Sequence, residues 1–303
     1  MRIDTRSTAA HLTGAAHEPP RQPMRTPESI MIGTAGWSLP KAYAPHFPGD
    51  GSHLERYAQR LSAVEINTSF YRPHRVATYE KWAAAVPAGF RFAVKVPRAI
   101  THERRLTDVD EVLARFLGEV AGLGSKLGPL LLQLPPSLAF DCASAARFLA
   151  TFRRCFAGDI VCEPRHATWF TQDVDKVLCD HAIARVAADP APVREAGRPG
   201  GWLDLAYYRL HGSPRMYRSA YEPPVLTRIA ERLHQKTIQG RRAWCIFDNT
   251  AEFAALGNAL ETLALSTRSK PHEPSALNGE SGTSKPGQGF SSMDERRDDG
   301  NAA

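Results

Sequence analysis

Glu65, Lys95, Gln133, Glu163, Arg165, Arg209, His211 and Asp248 each stand at or just past the end of a short apolar run. In an extended segment every second side chain shares a face, so the neighbours decide direction. Glu65 and Asn67 oppose Val64 and Ile66, Lys95 opposes Val94 and Val96, and Gln133 opposes Leu132 and Leu134. Glu163 and Arg165 oppose Cys162, Arg209 and His211 share the face of Tyr207, and Asp248 opposes Phe247. Arg185 and Asp189 are read as facing the same way. The inward set then holds the acids Glu65, Glu163, Asp189 and Asp248, the bases Lys95, Arg165, Arg185 and Arg209, and His211.

Glu163, His211 and Glu65 are the candidates for moving protons, and Lys95, Arg165 and Arg209 for holding a phosphate or carboxylate. The set is close to charge-balanced, and unpaired buried charge is expensive. An internal ion-pair network without catalytic role is therefore the competing reading, with a Lys95–Glu65 salt bridge as one part of it. Glu65, Glu163, Asp189 and His211 would be the ligands of a divalent ion. The absence of H-x-H, H-E-x-x-H or D-x-D spacing and the nearby bases count against one, so no metal is assigned. No phosphate-binding glycine loop or dinucleotide fingerprint is present, and the cofactor is left unassigned.

The elements that must position these residues alternate along the chain. Strand-length runs are read at Ile30–Gly33, Ala63–Asn67, Arg91–Val96, Pro129–Leu134, Asp159–Glu163, Ile183–Ala187, Ala206–His211 and Ala243–Asp248. Helix-like segments lie between most of them, and Asn249 or Thr250 is read as the N-cap of the last. The sixth and seventh runs are joined instead by Pro190–Leu205, Gly-rich and without a clear helix. Repeated βα units imply a parallel sheet, and eight of them close into a TIM-type (β/α)8 barrel with its site at the C-terminal strand ends. The expected organisation is a disordered segment over 1–29, one barrel domain over 30–265 and a disordered tail over 266–303.

The chain of 303 residues carries a formal charge of +6 and 43% hydrophobic residues, an ordinary globular profile. The terminal segments are close to neutral, so the excess lies on the barrel. Five cysteines without a C-x-x-C pair suit a reducing cytosol, and no apolar run is long enough to span a bilayer. A cytoplasmic protein without membrane attachment is expected.

Several segments resemble the domain of unknown function 72 family, also called YecE-like. They are Ile32-Gly33-Thr34-Ala35-Gly36-Trp37, Val64-Glu65-Ile66-Asn67-Thr68-Ser69-Phe70-Tyr71-Arg72 and Phe90-Arg91-Phe92-Ala93-Val94-Lys95-Val96-Pro97, followed by Leu131-Leu132-Gln133-Leu134-Pro135-Pro136, Glu163-Pro164-Arg165-His166, Tyr208-Arg209-Leu210-His211-Gly212 and Phe247-Asp248-Asn249-Thr250. The resemblance runs in order over about residues 30–265 and implies a TIM-type barrel without supplying an activity. It adds Asn67, Tyr71, Gln133, His166 and Asn249 to the ligand-binding candidates. Asp248 stands where family members often carry Asn.

Three functional readings follow. The first is an enzyme, of hydrolase or lyase type, on a small anionic or sugar-like substrate. Its glycosidase form would pair Glu163 with Glu65 or Asp248. The second is a nucleic-acid-binding or phosphodiester-processing protein using Arg72, Arg75, Arg98, Arg104 and Arg105 at the rim. The third is a non-catalytic metabolite-binding protein. Trp37, Tyr71, Trp169 and Tyr217 are candidate aromatic walls in any of them.

Overall fold

The computed structural model describes residues 30–268. The segment 1–29 and, of the expected tail over 266–303, the residues beyond 268 lie outside the described residues.

Parallel strands form the inner layer: β1 (Ile30–Ala35), β2 (Ala63–Ile66), β3 (Arg91–Lys95), β4 (Leu127–Gln133), β5 (Ile160–Glu163), β6 (Ile183–Arg185), β7 (Ala187–Asp189), β9 (Leu205–Leu210) and β10 (Arg242–Phe247). The two-residue β8 (Gly200–Gly201) pairs antiparallel with β6. The order β7-β9-β10-β1-β2-β3-β4-β5-β6-β8 describes a nearly closed barrel. β6 and β7 are two halves of one strand, broken at Val186; the first pairs with β5 and the second with β9. All eight expected strands are present, the sixth in two pieces.

Seven α-helices of the described residues make up the outer layer: α1 (His53–Ala58), α2 (Val76–Ala84), α3 (Asp110–Val120), α4 (Cys142–Cys155), α5 (Gln172–Asp180), α6 (Pro223–Ile238) and α7 (Ala254–Arg268). Their starts follow local chemistry. Ser52 and Glu55 form a reciprocal capping box at α1, Asp141 accepts from Ser144 N at α4, Thr171 accepts from Val174 N at α5, and Pro223 opens α6. The Pro190–Leu205 connection holds a single 3-10 turn, Arg194–Gly197, and β8, as its glycines suggested. The last helix continues to Arg268, three residues past the expected boundary at 265, with Ser266 buried and its hydroxyl donated to Thr262 O.

Strand side chains sort into two cores. One lies between strands and helices and includes Ile32, Val64, Phe92, Val94, Leu132, Cys162, Leu226 and Phe247. The other fills the barrel with Met31, Ala63, Ala93, Leu131, Val161, Ala184, Val186, Leu205, Tyr207, Trp244 and Ile246. Trp244 stacks on Tyr207 at 5.9 Å, and a Cβ at Gly128 would lie 2.7 Å from the Trp244 ring. At Gly33 a Cβ would lie 1.9 Å from Ala63 O, so only glycine lets β1 approach β2 there. This apolar plug closes the N-terminal end. The next inward position on β2, β3, β4, β5, β9 and β10 lies above it, and there the side chains turn polar or charged.

The split strand overturns one expectation. Ala184 and Val186 line the interior, so Arg185 faces the helices. Arg185 makes a two-pronged pair with Asp175 of α5, 2.7 and 3.1 Å, and lies over Phe170. Asp189 likewise points outward and accepts from Tyr221 Oη at 2.8 Å. An acid on the neighbouring helix gives Arg185 a partner outside the barrel, which strand parity chosen by charge alone does not reveal.

Candidate functional site

Arg209 stands at the centre of the polar layer. Its side chain is fully buried. Nε and Nη2 donate to the two oxygens of Glu65 at 3.0 and 2.7 Å, Nη1 to Glu163 Oε2 at 2.6 Å, and Nη2 also to Asp248 Oδ2 at 2.9 Å. Three strands, β2, β5 and β10's end, are thus tied to β9 by one guanidinium. Its planar fork suits that geometry and a lysine would not. Tyr207 Oη completes Glu65 at 2.9 Å, and Gln133 Nε2 donates to Glu163 Oε2 at 2.9 Å.

His211 bridges two of the carboxylates, with Nε2 at 3.0 Å from Glu163 Oε1 and Nδ1 at 3.0 Å from Asp248 Oδ2, the oxygen that Arg209 also reaches. Both ring nitrogens face a carboxylate oxygen, an arrangement that favours the doubly protonated imidazolium, which can donate to both. Burial opposes this charge, but Glu163 and Asp248 outweigh it and raise the His211 pKa. Burial also works against ionised Glu163, and Arg209 first, then His211, overcome it and hold the carboxyl well below its usual range. Asp248 is lowered in the same way, by Arg209 and His211 against burial.

The sign of the resulting pH dependence is fixed. His211 has a raised folded-state pKa, so its contribution is whole below the unfolded value of about 6.5 and is lost as pH rises through the folded value. Urea midpoints measured from pH 6 upward, as the difference between wild type and His211→Asn, are expected to shrink with rising pH. A difference that stays flat would place a neutral imidazole between the two acids.

Arg165 and Lys95 differ from this saturated frame. Arg165 Nη2 makes two long bonds, 3.2 Å to Glu163 Oε1 and 3.4 Å to Tyr217 Oη. Its Nε and Nη1 have no partner among the described residues, and its side chain is 24% exposed. Lys95 is 8% exposed, and its ammonium lies 4.1 Å from the centroid of the Phe70 ring. It closes no hydrogen bond or ion pair among the described residues. The Lys95–Glu65 salt bridge is therefore not formed, because Arg209 and Tyr207 occupy Glu65. Burial, then repulsion from Arg209, pushes the Lys95 pKa down to about 8, with Glu65, Glu163 and Asp248 opposing. Glu65, Glu163 and Asp248 take their hydrogen bonds from Arg209, Arg165, Tyr207, Gln133 and His211, and none from Lys95.

Other expected site residues stand apart from this cluster. Asn249 is buried on the outer side, where Nδ2 donates to Ser219 O and Asn258 Oδ1, both at 2.9 Å. It ties the loop after β9 to α7. That helix begins only at Ala254, so neither Asn249 nor Thr250 is its N-cap. Tyr71 is 71% exposed, packed edge-on to Phe70. His166 caps the 3-10 turn Ala167–Trp169 by accepting from Thr168 N. Asn67 follows β2 directly, with Oδ1 buried and without a hydrogen-bond partner among the described residues. Of the aromatic walls, Tyr217 reaches the cluster, edge-on to His211 at 5.6 Å. Trp37 packs on Trp82, and Trp169 is buried against Phe140. With Asp189 outward and Arg209 between the acids, the four metal-ligand candidates do not converge. Among the rim arginines, Arg98 pairs with Glu103, Arg104 donates to Asp108 O and Arg105 to Ser137 O.

Two neighbours of Lys95 escaped sequence reasoning. Phe70 is the residue under its ammonium. His102 packs edge-on to the same ring at 4.9 Å from a π-helical turn, Ala99–Glu103, with Nδ1 2.8 Å from Thr101 Oγ1. Burial first, then Lys95, lowers the His102 pKa. Phe70 lay inside a recognised motif, but nothing in the spacing pointed to His102.

Fold and site together define a parallel α/β barrel with a hydrogen-bonded charge cluster at the C-terminal ends of its strands. The chain belongs to the family described as "Protein of unknown function DUF72", whose model matches residues 31–278. It is 29% identical over 176 residues to the UPF0759 protein YecE of Escherichia coli, across 56% of this chain and 62% of that protein. It is 29% identical over 150 residues to the UPF0759 protein YunF of Bacillus subtilis, across 47% of this chain and 52% of that one. The matched region is thus less than two thirds of either relative. A solved DUF72 family protein from Enterococcus faecalis superposes with TM-score 0.67 at 21% identity, covering 82% of this chain and 100% of that one. One from Thermotoga maritima gives 0.65 at 21%, covering 78% and 99%. Likeness at this identity shows the fold alone. No helix of the described residues is long and apolar enough to cross a membrane.

Proposed function

We propose that the barrel mouth is a pocket for a small anionic molecule, held by Lys95 and Arg165, and that the protein is an enzyme acting on it. The observation that carries this reading is the pair of cations with unused donors beside a frame in which Arg209, Tyr207, Gln133 and His211 already occupy both oxygens of Glu65 and of Glu163 and one oxygen of Asp248. A network built only for stability would leave no buried ammonium without a carboxylate bonded to it, since an unpaired charge costs free energy. An incoming anion supplies the missing partner. Glu163 and His211 then act as frame. Glu163 accepts from Gln133, Arg165, Arg209 and His211, and its lowered pKa leaves it a poor proton carrier. The same lowering in Glu163 and Asp248 counts against a glycosidase, which needs one carboxyl kept protonated.

Titration of purified protein with inorganic phosphate at pH 7, followed by calorimetry and thermal unfolding, tests the reading. Saturable binding is expected, weakened about tenfold or more in Lys95→Met and in Arg165→Met. Equal binding by wild type and both variants would contradict it.

A further inference from the structure

The two open cations differ in chemistry. Arg165 keeps its charge at every physiological pH and presents a planar edge suited to a carboxylate or phosphate. Lys95 is a primary amine on the C-terminal end of β3, 8% exposed, lying on the Phe70 ring and bonded to no acid. An amine paired with a carboxylate is locked as ammonium. One denied that partner and crowded by a buried guanidinium gives up its proton readily, which is the environment of an activated lysine nucleophile. The downward shift to about 8 agrees with that placement.

We propose that Lys95 is a carbonyl-reactive amine that forms a Schiff base with a small molecule carrying a carbonyl next to an anionic group, the anion resting on Arg165. The proposal rests on the anion-binding reading and names its substrate class. The ammonium first releases one proton. The Nζ lone pair attacks the carbonyl carbon, a C–N bond forms, and the C=O π pair moves to oxygen. A proton passes from nitrogen to that oxygen, giving a carbinolamine. The released proton returns to the hydroxyl, which leaves as water, and the nitrogen lone pair closes the C=N bond. The net change is ammonium plus carbonyl giving iminium plus water, with no oxidant or reductant consumed. The iminium preserves the positive charge of the ammonium, so the frame around Arg209 sees no change in charge.

The test uses pyruvate as the anionic carbonyl probe and dihydroxyacetone as the uncharged one, each with sodium cyanoborohydride, followed by peptide mapping by mass spectrometry. The expected result is one dominant pyruvate adduct at Lys95, forming at least about tenfold faster than at surface lysines. Inorganic phosphate and Arg165→Met should slow it, and dihydroxyacetone should show little preference. Lys95→Arg keeps the charge, and is expected to bind phosphate while forming no adduct there. Pyruvate adducts spread over surface lysines, with Lys95 no faster, would overturn the proposal. Phosphate binding in the same preparation separates the failures. Phosphate bound without a Lys95 adduct overturns the covalent step and leaves the anion site standing, and loss of both overturns both.

Discussion

Arg209→Met is expected to lower the free energy of unfolding by about 3–5 kcal/mol, the range for stranding buried charges by removing their partner. The substitution keeps an unbranched apolar stem and deletes four hydrogen bonds, leaving Glu65, Glu163 and Asp248 facing one another with His211, Arg165 and the unbonded Lys95 as compensation. For a domain whose total stability is roughly 5–15 kcal/mol, that is a large share. Arg209→Lys restores the charge without the fork. It should recover only part of the loss, because one ammonium cannot serve both Glu65 oxygens, Glu163 and Asp248 together. Urea denaturation of the three proteins at pH 7 measures this. Should Arg209→Met be too unstable to purify, Asp248→Asn is the milder probe, removing one acceptor of the same guanidinium. A loss below about 1 kcal/mol for Arg209→Met would mean that the cluster is not the frame of the barrel mouth.

Lys95→Met is expected to do the opposite to stability while weakening phosphate binding about tenfold or more. Lys95 is protonated in both folded and unfolded chains below about 8, where the folded state bears the full cost of its buried charge. That cost disappears as pH rises from about 8 to the unfolded value of about 10.4. Methionine removes the charge and keeps the apolar stem against Phe70, so the variant should be more stable than wild type at pH 7 by about 1–3 kcal/mol. The gain should fade toward pH 10. Greater stability coupled to weaker binding is the signature of a residue kept for function at the expense of the fold. Urea midpoints at pH 7 and pH 10, with calorimetric phosphate titration at pH 7, give both readings. A variant less stable than wild type at pH 7 would show that Lys95 is a structural ion-pair member after all.

The two predictions divide the cluster along a line that the sequence could only half draw. Alternation of Glu65 with Val64 and Ile66, or of Arg209 with Tyr208 and Leu210, was enough to orient those side chains, because regular parallel strands keep strict parity. The same rule applied at Arg185 and Asp189 pointed the wrong way. There the interior is lined by small residues, Ala184 and Val186, and the charges find partners on α5 and in the loop before α6. Asn249 belonged to a recognised motif, yet its work is to hold the loop after β9 against α7. Motif membership does not distinguish a residue that shapes the site from one that lines it. Above all, a list of inward acids and bases cannot say which pairs form. Glu65 could have taken Lys95 or Arg209, and the choice depends on the stagger of β2, β3 and β9 around the barrel. That choice leaves Lys95 unpaired, and it decides where chemistry is proposed.

The protonation state of Lys95 itself tests this most directly. NMR titration of the lysine side chains, with the Lys95 signal assigned by its loss in Lys95→Met, should place its midpoint near 8 in the free protein, with an upward shift when phosphate is added. A midpoint at about 10.4 or above, unmoved by phosphate, would contradict the account, because it would mean a lysine already paired or fully hydrated.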